Sequence, residues 1–419
     1  MNKKLENINY NIETHHLGLY VKEARLRQGY RLTEVAEDIC AISVLSRIES
    51  GGLEPTPALF EKLAEKLEMK FPGDDRQDPI ALFKAMIYHD NFGEVDHMLN
   101  SDCLYDYEKP LLAFLVAVKK GDIKKAEPFK NVIDKWAEHL NPMEEQIYTL
   151  FNAIYFFAKY EWEKGVSFLE LSYKIAQQKA TPDPFLYLEI AKYYFKVERS
   201  HLGFIFLEQA YNLFQKFLAK KPIVECLIMG CDEYVKLGDL DAAADKLEQL
   251  HHFLELEENE VLANDILSLS GRIAELRQGS KAAERIFFKL ASGNKEALSQ
   301  PCLVSIIAFY YERNKFSQIL DFIDKLDMKK MSIRMQILLE YYYYKATHVC
   351  NNDFEIFLID DAIPQAINDF DALSVTMYMK DLAKFYEAKK SYKRMATTYQ
   401  ELEAFRNRLR KMKTIQRDL

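Results

Sequence analysis

Four side chains of one short segment combine types that can contact DNA: Ser43, Val44, Ser46 and Arg47. The serine hydroxyls can hydrogen-bond base edges, the valine can pack on a thymine methyl, and the arginine can reach a guanine or a phosphate. Leu45 and Ile48 are spaced to point into a core instead. This spacing predicts a short helix whose exposed face lies in the major groove of DNA.

Neighbouring helices are needed to position that segment. The first is expected to begin near Leu17 and to end near Gly29, which suits a C-cap. A second short helix over 32–39 precedes a turn. Ser43 is then predicted to be the N-cap of the third helix, which Gly51-Gly52 ends. The second and third helices together predict a helix-turn-helix, with the third helix reading DNA.

Composition divides the chain into a small head and a long helical body. Pro55-Thr56-Pro57 opens a fourth helix, and the stretch 71–79, with its prolines and glycine, is typical of a linker. We therefore expect a flexible arm over residues 1–16, a helix-turn-helix domain over 17–70, a linker over 71–79, a repeat domain over 80–388 and a C-terminal capping helix over 389–419.

From residue 80 onward, short breaks between helical stretches recur roughly 31 to 41 residues apart. They fall near residues 91–93, 121–123, 160–162, 198–202, 238–240, 278–280, 314–316, 352–354 and 390–392. The sharpest, Leu237-Gly238-Asp239-Leu240-Asp241-Ala242-Ala243, resembles the turn of a tetratricopeptide repeat. Stacked helix pairs share a continuous core and leave a concave groove. The predicted fold is all-α: a helix-turn-helix domain followed by a right-handed tetratricopeptide-like α-solenoid.

The bulk composition excludes several classes of function. The formal charge is −8, and residues 1–70 contain 10 Lys/Arg against 11 Asp/Glu, so any DNA contact must be a local patch. The chain has no phosphate-binding loop, no GxGxxG, no HExxH and no GxSxG. Its histidines are dispersed without ligand spacing. We therefore expect no enzymatic activity, no cofactor and no metal site.

The six cysteines are scattered singly, and Cys226 and Cys231 fit neither a CxxC pair nor a zinc site. We expect small buried thiols in a reducing compartment. The amino terminus lacks the apolar segment of a secretory signal. The longest apolar runs, Leu111–Val118 and Ile306–Tyr311, fall short of the roughly 20 residues that span a bilayer. The expected location is the cytoplasm, without membrane contact.

Residues 17–69 resemble the DNA-binding heads of the phage-repressor-like XRE class. Cys40 followed by Ser46-Arg47-Ile48-Glu49-Ser50-Gly51 is similar to the heads of the peptide-pheromone regulators of Gram-positive bacteria, the Rgg/Rap/NprR/PlcR/PrgX (RRNPP) family. That family joins such a head to tetratricopeptide-like repeats, and the length of this chain is nearest to that of the NprR branch. The resemblance implies a transcriptional regulator that binds a DNA operator.

The resemblance also assigns roles within the head. It implies a structural ion pair between Arg25 and Glu49. The family usually has a Thr-Gln pair at the start of helix 2, where this chain has Arg31-Leu32. The usual threonine cap is therefore missing, and Arg31 can replace the phosphate contact. The residues expected to contact DNA are Lys22, Arg27, Arg31, Ser43, Val44, Ser46 and Arg47.

In the body, the resemblance implies that a short signalling peptide binds the concave groove, as in quorum sensing, and that the chain forms a homodimer. Alignment of the breaks predicts four groove-facing residues: Lys192, Glu225, Asp232 and Tyr311. The tyrosine run 341–344 is expected to serve core and inter-repeat packing. Two alternatives stay open: a repeat protein that sequesters or dephosphorylates a response regulator, and a mobile-element repressor without a peptide ligand.

Overall fold

The structure is a computed structural model that describes residues 15–69, 78–89, 95, 99, 104, 108–135, 137, 140–178, 183–256, 259–348, 351–412 and 414–415. The regular structure in these ranges is helical, without a strand. The predicted all-α class is confirmed. The predicted arm over 1–16, the linker over 71–79 and the break near 91–93 lie almost wholly outside the described residues, as do Cys103 and Cys350.

The chain divides into two compact units. One contains the described residues up to Leu186 together with Ile415, and the other is Tyr187–Thr414. The helices of the head are α1 (His15–Arg27), α2 (Leu32–Ala36), α3 (Ile42–Glu49) and α4 (Pro57–Lys66). The rest of the first unit contains α5 (Pro79–His89), α6 (Glu108–Lys119), α7 (Ile123–Ile133), α8 (Pro142–Ala158) and α9 (Trp162–Gln178).

The second unit begins within α10 (Pro184–Lys196). Its other helices are α11 (Ser200–Lys216), α12 (Lys220–Leu237), α13 (Leu240–Leu256), α14 (Glu260–Gln278), α15 (Ser280–Ser292), α16 (Gln300–Glu312), α17 (Phe316–Ile323), α18 (Ile333–Ala346), α19 (Asn352–Phe357), α20 (Ile363–Asn368), α21 (Ala372–Ala388) and α22 (Tyr392–Lys411). A π-turn, Leu358–Ala362, joins α19 to α20, and short 3₁₀ turns, Lys295–Ala297 and Met328–Lys330, precede α16 and α18.

The turns inside the helix pairs share one geometry. At Gly238, between α12 and α13, the backbone has a φ of 78°, and the next amide, Asp239 N–H, donates to the carbonyl of Tyr234 at 3.0 Å. This is the bond that closes a Schellman motif at a helix C-terminus. Tyr160 and Lys390 adopt the same left-handed conformation with φ of 62° and 55°, without being glycine. The predicted breaks at 121–123, 160–162, 198–202, 238–240, 278–280, 314–316 and 390–392 coincide with turns, and that at 352–354 begins α19.

In several pairs, the second helix has a small buried residue in its first turn, about four positions after the turn that joins the two helices. Ala126, Ala243 and Ala283 are fully buried. Gly203 occupies the corresponding place in α11, and a Cβ added there would lie 2.4 Å from the ring of Phe195. The two helices of a pair therefore approach closely enough to require a small side chain. This close approach buries the shared apolar face and explains the regular stacking.

No helix in the described ranges is long and apolar enough to cross a membrane.

Candidate nucleic-acid interface and repeat-helix face

The head is held together by a buried ion pair between α1 and α3. Arg25 Nε donates to Glu49 Oε1 at 2.7 Å and Arg25 Nη2 donates to Glu49 Oε2 at 2.8 Å. A third donor, Arg25 Nη1, reaches the carbonyl of Tyr30 at 2.9 Å. The hydrogen bonds to Glu49 raise the pKa of the Arg25 guanidinium. The pair that the family resemblance implied is thus formed inside the domain, where neither side chain is available to DNA.

Close packing of α1 on α3 fixes the position of α3 in the head. A Cβ at Gly18 would lie 1.8 Å from the carbonyl oxygen of Ile48. Leu45 and Ile48 are fully buried, as their spacing predicts. Because backbone meets backbone at Gly18, α3 cannot shift toward α1, and its outer face is held rigidly. No feature of the sequence pattern had singled out Gly18.

The outer face of α3 presents the predicted side chains to solvent. Ser43, Ser46 and Arg47 are exposed and Val44 is half-buried. Ile42, at the first position of α3, is 49% exposed and was not predicted as a contact. Arg47 Nη2 makes a long contact of 3.4 Å with the carbonyl of Gly52, which leaves most of its donors directed to solvent.

The predicted N-cap of α3 is wrong. The helix begins at Ile42, so Ala41 is the N-cap and has no side-chain acceptor, while Ser43 lies in the first turn. The amides of Val44 and Leu45 bond the carbonyl of Ala41 instead, at 2.9 and 3.1 Å. This two-residue difference leaves the Ser43 hydroxyl outside the backbone hydrogen bonding of the helix end.

Three further predicted contacts are basic residues of the head. Lys22 is half-buried on α1, and Arg27 is exposed in its last turn. Arg31 is exposed at the N-cap of α2, where its backbone N–H donates to Glu34 Oε2 at 2.5 Å. This bond is the half of a capping box in which the N3 glutamate accepts from the N-cap amide, and it replaces the threonine cap that the sequence lacks. The arginine side chain of this residue remains on the surface.

In the second unit, charged side chains join the first helix of one pair to the first helix of the next. Lys192 Nζ on α10 lies 2.8 Å from Glu225 Oε1 on α12. Asp232 on α12 pairs with Arg272 on α14. Further contacts continue this series, which we call the ion-pair ladder: Glu275–Arg313 at 2.7 Å and Lys345–Asp381 at 2.6 Å. The ladder joins α10 to α12, α12 to α14, α14 to the C-cap of α16, and α18 to α21, while α16 and α18 meet through the rings of Tyr311 and Tyr342.

Lys192 has two carboxylate partners on the ladder. Burial alone would lower the pKa of its ammonium, but Glu189 and Glu225, each 2.8 Å away, outweigh burial and raise that pKa. Two of the predicted groove residues, Lys192 and Glu225, therefore contact each other directly.

Asp232 has two cationic neighbours. Burial would raise the pKa of its carboxyl group, but Lys236 and Arg272 outweigh burial and lower it. Asp232 thus stays ionised and occupied by partners from its own helix and from α14. The predicted groove residues Lys192 and Asp232 belong to different ion pairs of the ladder; below, each such ion pair is called a rung.

Tyr311 belongs to an aromatic part of the same face. Its ring lies 5.4 Å from that of Tyr342, and Lys345 Nζ lies 5.8 Å from its centroid. The hydroxyl of Tyr341 donates to Asp381 Oδ2 at 2.6 Å, and Lys345 donates to the same oxygen. Tyr341 and Tyr342 are buried, whereas Tyr343 is 45% exposed. The prediction that the tyrosine run serves packing is confirmed for the two buried members.

The cysteines within the described ranges are free thiols. Cys226, Cys231 and Cys302 are buried, and Cys40 is half-buried. Burial raises the pKa of Cys226 and Cys302 to about 12 and that of Cys231 to about 11. Since the thiolate is the reactive form, these three side chains are unreactive packing groups at neutral pH.

Comparisons with known proteins agree with this geometry. Residues 21–72 match the helix-turn-helix family HTH_3. "Transcriptional activator NprA" of Geobacillus stearothermophilus is 21% identical, over 87% of this chain and 97% of the relative. The apo form of the quorum sensor NprR from B. thuringiensis superposes with a TM-score of 0.54 at 17% identity, over 78% of this chain and 97% of NprR.

Two complexes with peptides or factors share the fold. NprR with its cognate peptide NprX has a TM-score of 0.56 at 18% identity, over 77% of this chain and 98% of that chain. A Rap protein complexed with competence and sporulation factor has a TM-score of 0.51 at 13% identity, over 94% of this chain and 100% of that chain. The resemblance to the peptide-pheromone regulators is confirmed. The predicted helix-turn-helix and tetratricopeptide-like solenoid are likewise confirmed as the fold.

Sequence reasoning missed most partners of the ladder. Arg272, Arg313 and Asp381 were not singled out, although each lies about one repeat after its partner. A search for opposite charges at the repeat spacing would have found them. That signal needs the helix phase to be known, because only one side of each first helix meets the next repeat.

Proposed function

We propose that this chain is a DNA-binding transcriptional regulator whose activity is controlled by a short signalling peptide. DNA binding is supported by the exposed face of α3, which is packed closely on α1 in the core of the head. Ser43, Ser46 and Arg47 combine two hydroxyls with a guanidinium on one helix face, which is the chemistry that reads base edges and phosphates. The match of residues 21–72 to the helix-turn-helix family supports this assignment.

The proposed DNA contacts comprise the exposed face of α3 and the basic residues around it: Lys22, Arg27, Arg31, Ser43, Val44, Ser46 and Arg47. One head offers few base contacts, each worth about 1–3 kcal/mol, so useful affinity requires two heads and hence a homodimer. Light scattering on the purified chain measures its mass. A monomer at micromolar concentration, with and without operator, contradicts the dimer.

The second half of the proposal places the peptide along the ion-pair ladder, with Lys192, Glu225, Asp232 and Tyr311 among its contacts. A peptide backbone and its charged ends need carbonyl, amide and ionic partners, which this face supplies at regular intervals. The solved complex of NprR with its cognate peptide NprX supports the idea, because the two chains share a fold.

Operator binding is tested by selection of bound fragments from a random DNA pool, followed by gel-shift titration. Arg47→Ala is expected to weaken operator binding at least about tenfold, because one bidentate contact is worth about 1–3 kcal/mol. Arg285→Ala is the matched control, since Arg285 is an exposed arginine on α15. Equal binding by wild type and Arg47→Ala discards α3 as the reading helix.

Peptide control is tested by calorimetry of the full chain with fractionated peptides from the culture medium of the host. A fraction that binds wild type and changes operator affinity supports the proposal. Lys192→Ala is expected to weaken that binding, whereas Lys289→Ala on α15 is the control because it is exposed. Operator binding that no peptide fraction changes favours a repressor without a peptide ligand.

A further inference from the structure

The turn between α10 and α11 contacts the last helices of the second compact unit. Lys196 Nζ donates to the carbonyl of Asp369 at 2.8 Å, and Arg199 Nη2 donates to the carbonyl of Met412 at 2.9 Å. Asp369 and Met412 are the C-cap residues of α20 and α22. Both cations therefore bind carbonyls at the negative ends of helices. These bonds join the first repeat of Tyr187–Thr414 to its last.

A pocket of about 480 Å³ lies beside this junction. It is lined by three arginines, one acid, one hydroxyl and one aliphatic side chain among others: Arg199, Arg406, Arg410, Glu198, Thr376 and Leu409. This volume is within the range of about 300–1,000 Å³ typical of small-ligand sites. The lining also carries an excess of positive charge, because only one carboxylate faces three guanidinium groups.

The three arginines differ in how far their donors are used. The Nη2 group of Arg199 is already used, since it donates to the carbonyl of Arg410 at 3.2 Å as well as to that of Met412. Arg406 is half-buried and makes no hydrogen bond or ion pair with any residue that the structure describes. Arg410 lies 3.7 Å from Glu403, and its side chain is 73% exposed, so that pair is weak. Two guanidinium groups thus retain donors at the pocket.

We propose that this pocket binds a small oxyanion, a phosphate or carboxylate group, through Arg406 and Arg410. A guanidinium stays charged at any physiological pH, and its planar fork matches two oxygens of a phosphate or carboxylate. A bound oxyanion supplies the acceptors that Arg406 lacks. Arg199 of the α10–α11 turn also lines the pocket, so the bound oxyanion lies beside the junction between the first and last repeats. This proposal does not depend on DNA or peptide binding.

The test is calorimetry and thermal denaturation of the full chain in chloride buffer of constant ionic strength. Sodium phosphate and citrate, each to about 10 mM, are titrated separately, because a weak oxyanion site has a Kd in the millimolar range or below. Binding of phosphate alone identifies a phosphoryl ligand, and binding of citrate alone identifies a carboxylate ligand. No binding and no rise in melting temperature with either anion overturns the proposal.

Variants on one helix give the matched comparison. The double variant Arg406→Gln with Arg410→Gln is expected to lose binding by at least about tenfold, since charge-assisted bonds to both guanidinium groups disappear. Arg408→Gln with Lys411→Gln removes the same two charges from α22 outside the pocket lining and keeps wild-type affinity. Equal loss in both proteins means general charge attraction and refutes the site.

If the double variant does not fold, Arg406→Lys decides. This substitution preserves the charge but removes the planar fork, so affinity falls while the circular dichroism spectrum is unchanged. Wild-type affinity in a folded Arg406→Lys protein contradicts the role of the Arg406 fork.

Discussion

The head and the ion-pair ladder differ in whether their exposed polar side chains have partners within the chain. In the head, the charges of Arg25 and Glu49 are buried together, whereas the hydroxyls of Ser43 and Ser46 on α3 make no side-chain hydrogen bond within the described part of the chain. On the ladder, Lys192 and Asp232 stay near the surface but already have partners in the next repeat. The head therefore offers unused hydrogen-bonding groups, and the ladder offers groups that must exchange partners.

This difference has a consequence for the proposed switch. A ligand on the ladder must replace an existing ion pair, so its net gain is small at each rung, and selectivity depends on matching several rungs at once. Replacing an ion pair of the ladder also removes a contact between the first helices of two successive repeats. Ligand binding there can thus alter the spacing of repeats, whereas a DNA contact through the exposed Ser43 and Ser46 requires no change in the core of the head.

The largest expected effect is the loss of the buried ion pair. Arg25→Gln leaves Glu49 with an uncompensated buried charge, which costs about 3–5 kcal/mol. We expect the head to unfold locally and DNA binding to disappear. Hydrogen exchange of the α1–α3 amides measures this directly. Arg47→Ala is the control, because a change at that exposed side chain stays within about 0.5 kcal/mol; similar exchange in both variants would show that the pair is dispensable.

Next in size is the close approach at Gly18. Gly18→Ala forces a methyl group against the backbone of Ile48, and overpacking of this kind costs about 1–3 kcal/mol or more. Gly52→Ala, whose added methyl would meet atoms at 3.6 Å, is the control in the same head. Protection of α3 amides is expected to fall in the first variant alone. Unchanged protection in Gly18→Ala would mean that α1 and α3 move apart freely.

A smaller effect is expected from a single rung of the ladder. Arg272→Gln removes one partner of Asp232, but Lys236 Nζ remains 2.7 Å from the carboxylate. Partly exposed ion pairs contribute about 0–1 kcal/mol, so urea denaturation should change little. A loss comparable to that of Arg25→Gln would show that the ladder is as critical as the core of the head.

The smallest effect is a pH dependence at the same rung. The pKa of Asp232 is lowered in the folded chain, so its contribution to stability is present above the unfolded value near pH 4 and is lost as the pH falls through the folded value. The difference in stability between wild type and Asp232→Asn should therefore shrink below about pH 4. Denaturation curves at several pH values measure it, and a constant difference argues against an ionised Asp232.

Much of the architecture follows from short-range patterns. The breaks between helices were predicted from Gly121, Gly238 and Gly279, which take φ values near 76–78° at their turns. Tyr160 and Lys390 also take left-handed φ values, and the breaks there are predicted from the aromatic residue that follows each break and from the repeat spacing, since neither residue prefers a left-handed backbone. The α3 helix begins two residues earlier than predicted, because serine favours an N-cap but the N-cap is Ala41 rather than Ser43.

The sequence by itself determined the all-α class, the helix-turn-helix and the repeated pairs, because apolar periodicity and turn residues act over a few positions. Only the tertiary structure decided which charges meet. Arg199 and Met412 are 213 residues apart, and Lys192 meets Glu225 through the stacking of successive first helices. Such pairings depend on helix phase and superhelical packing, which accumulate over the whole stack and leave no local mark in the sequence.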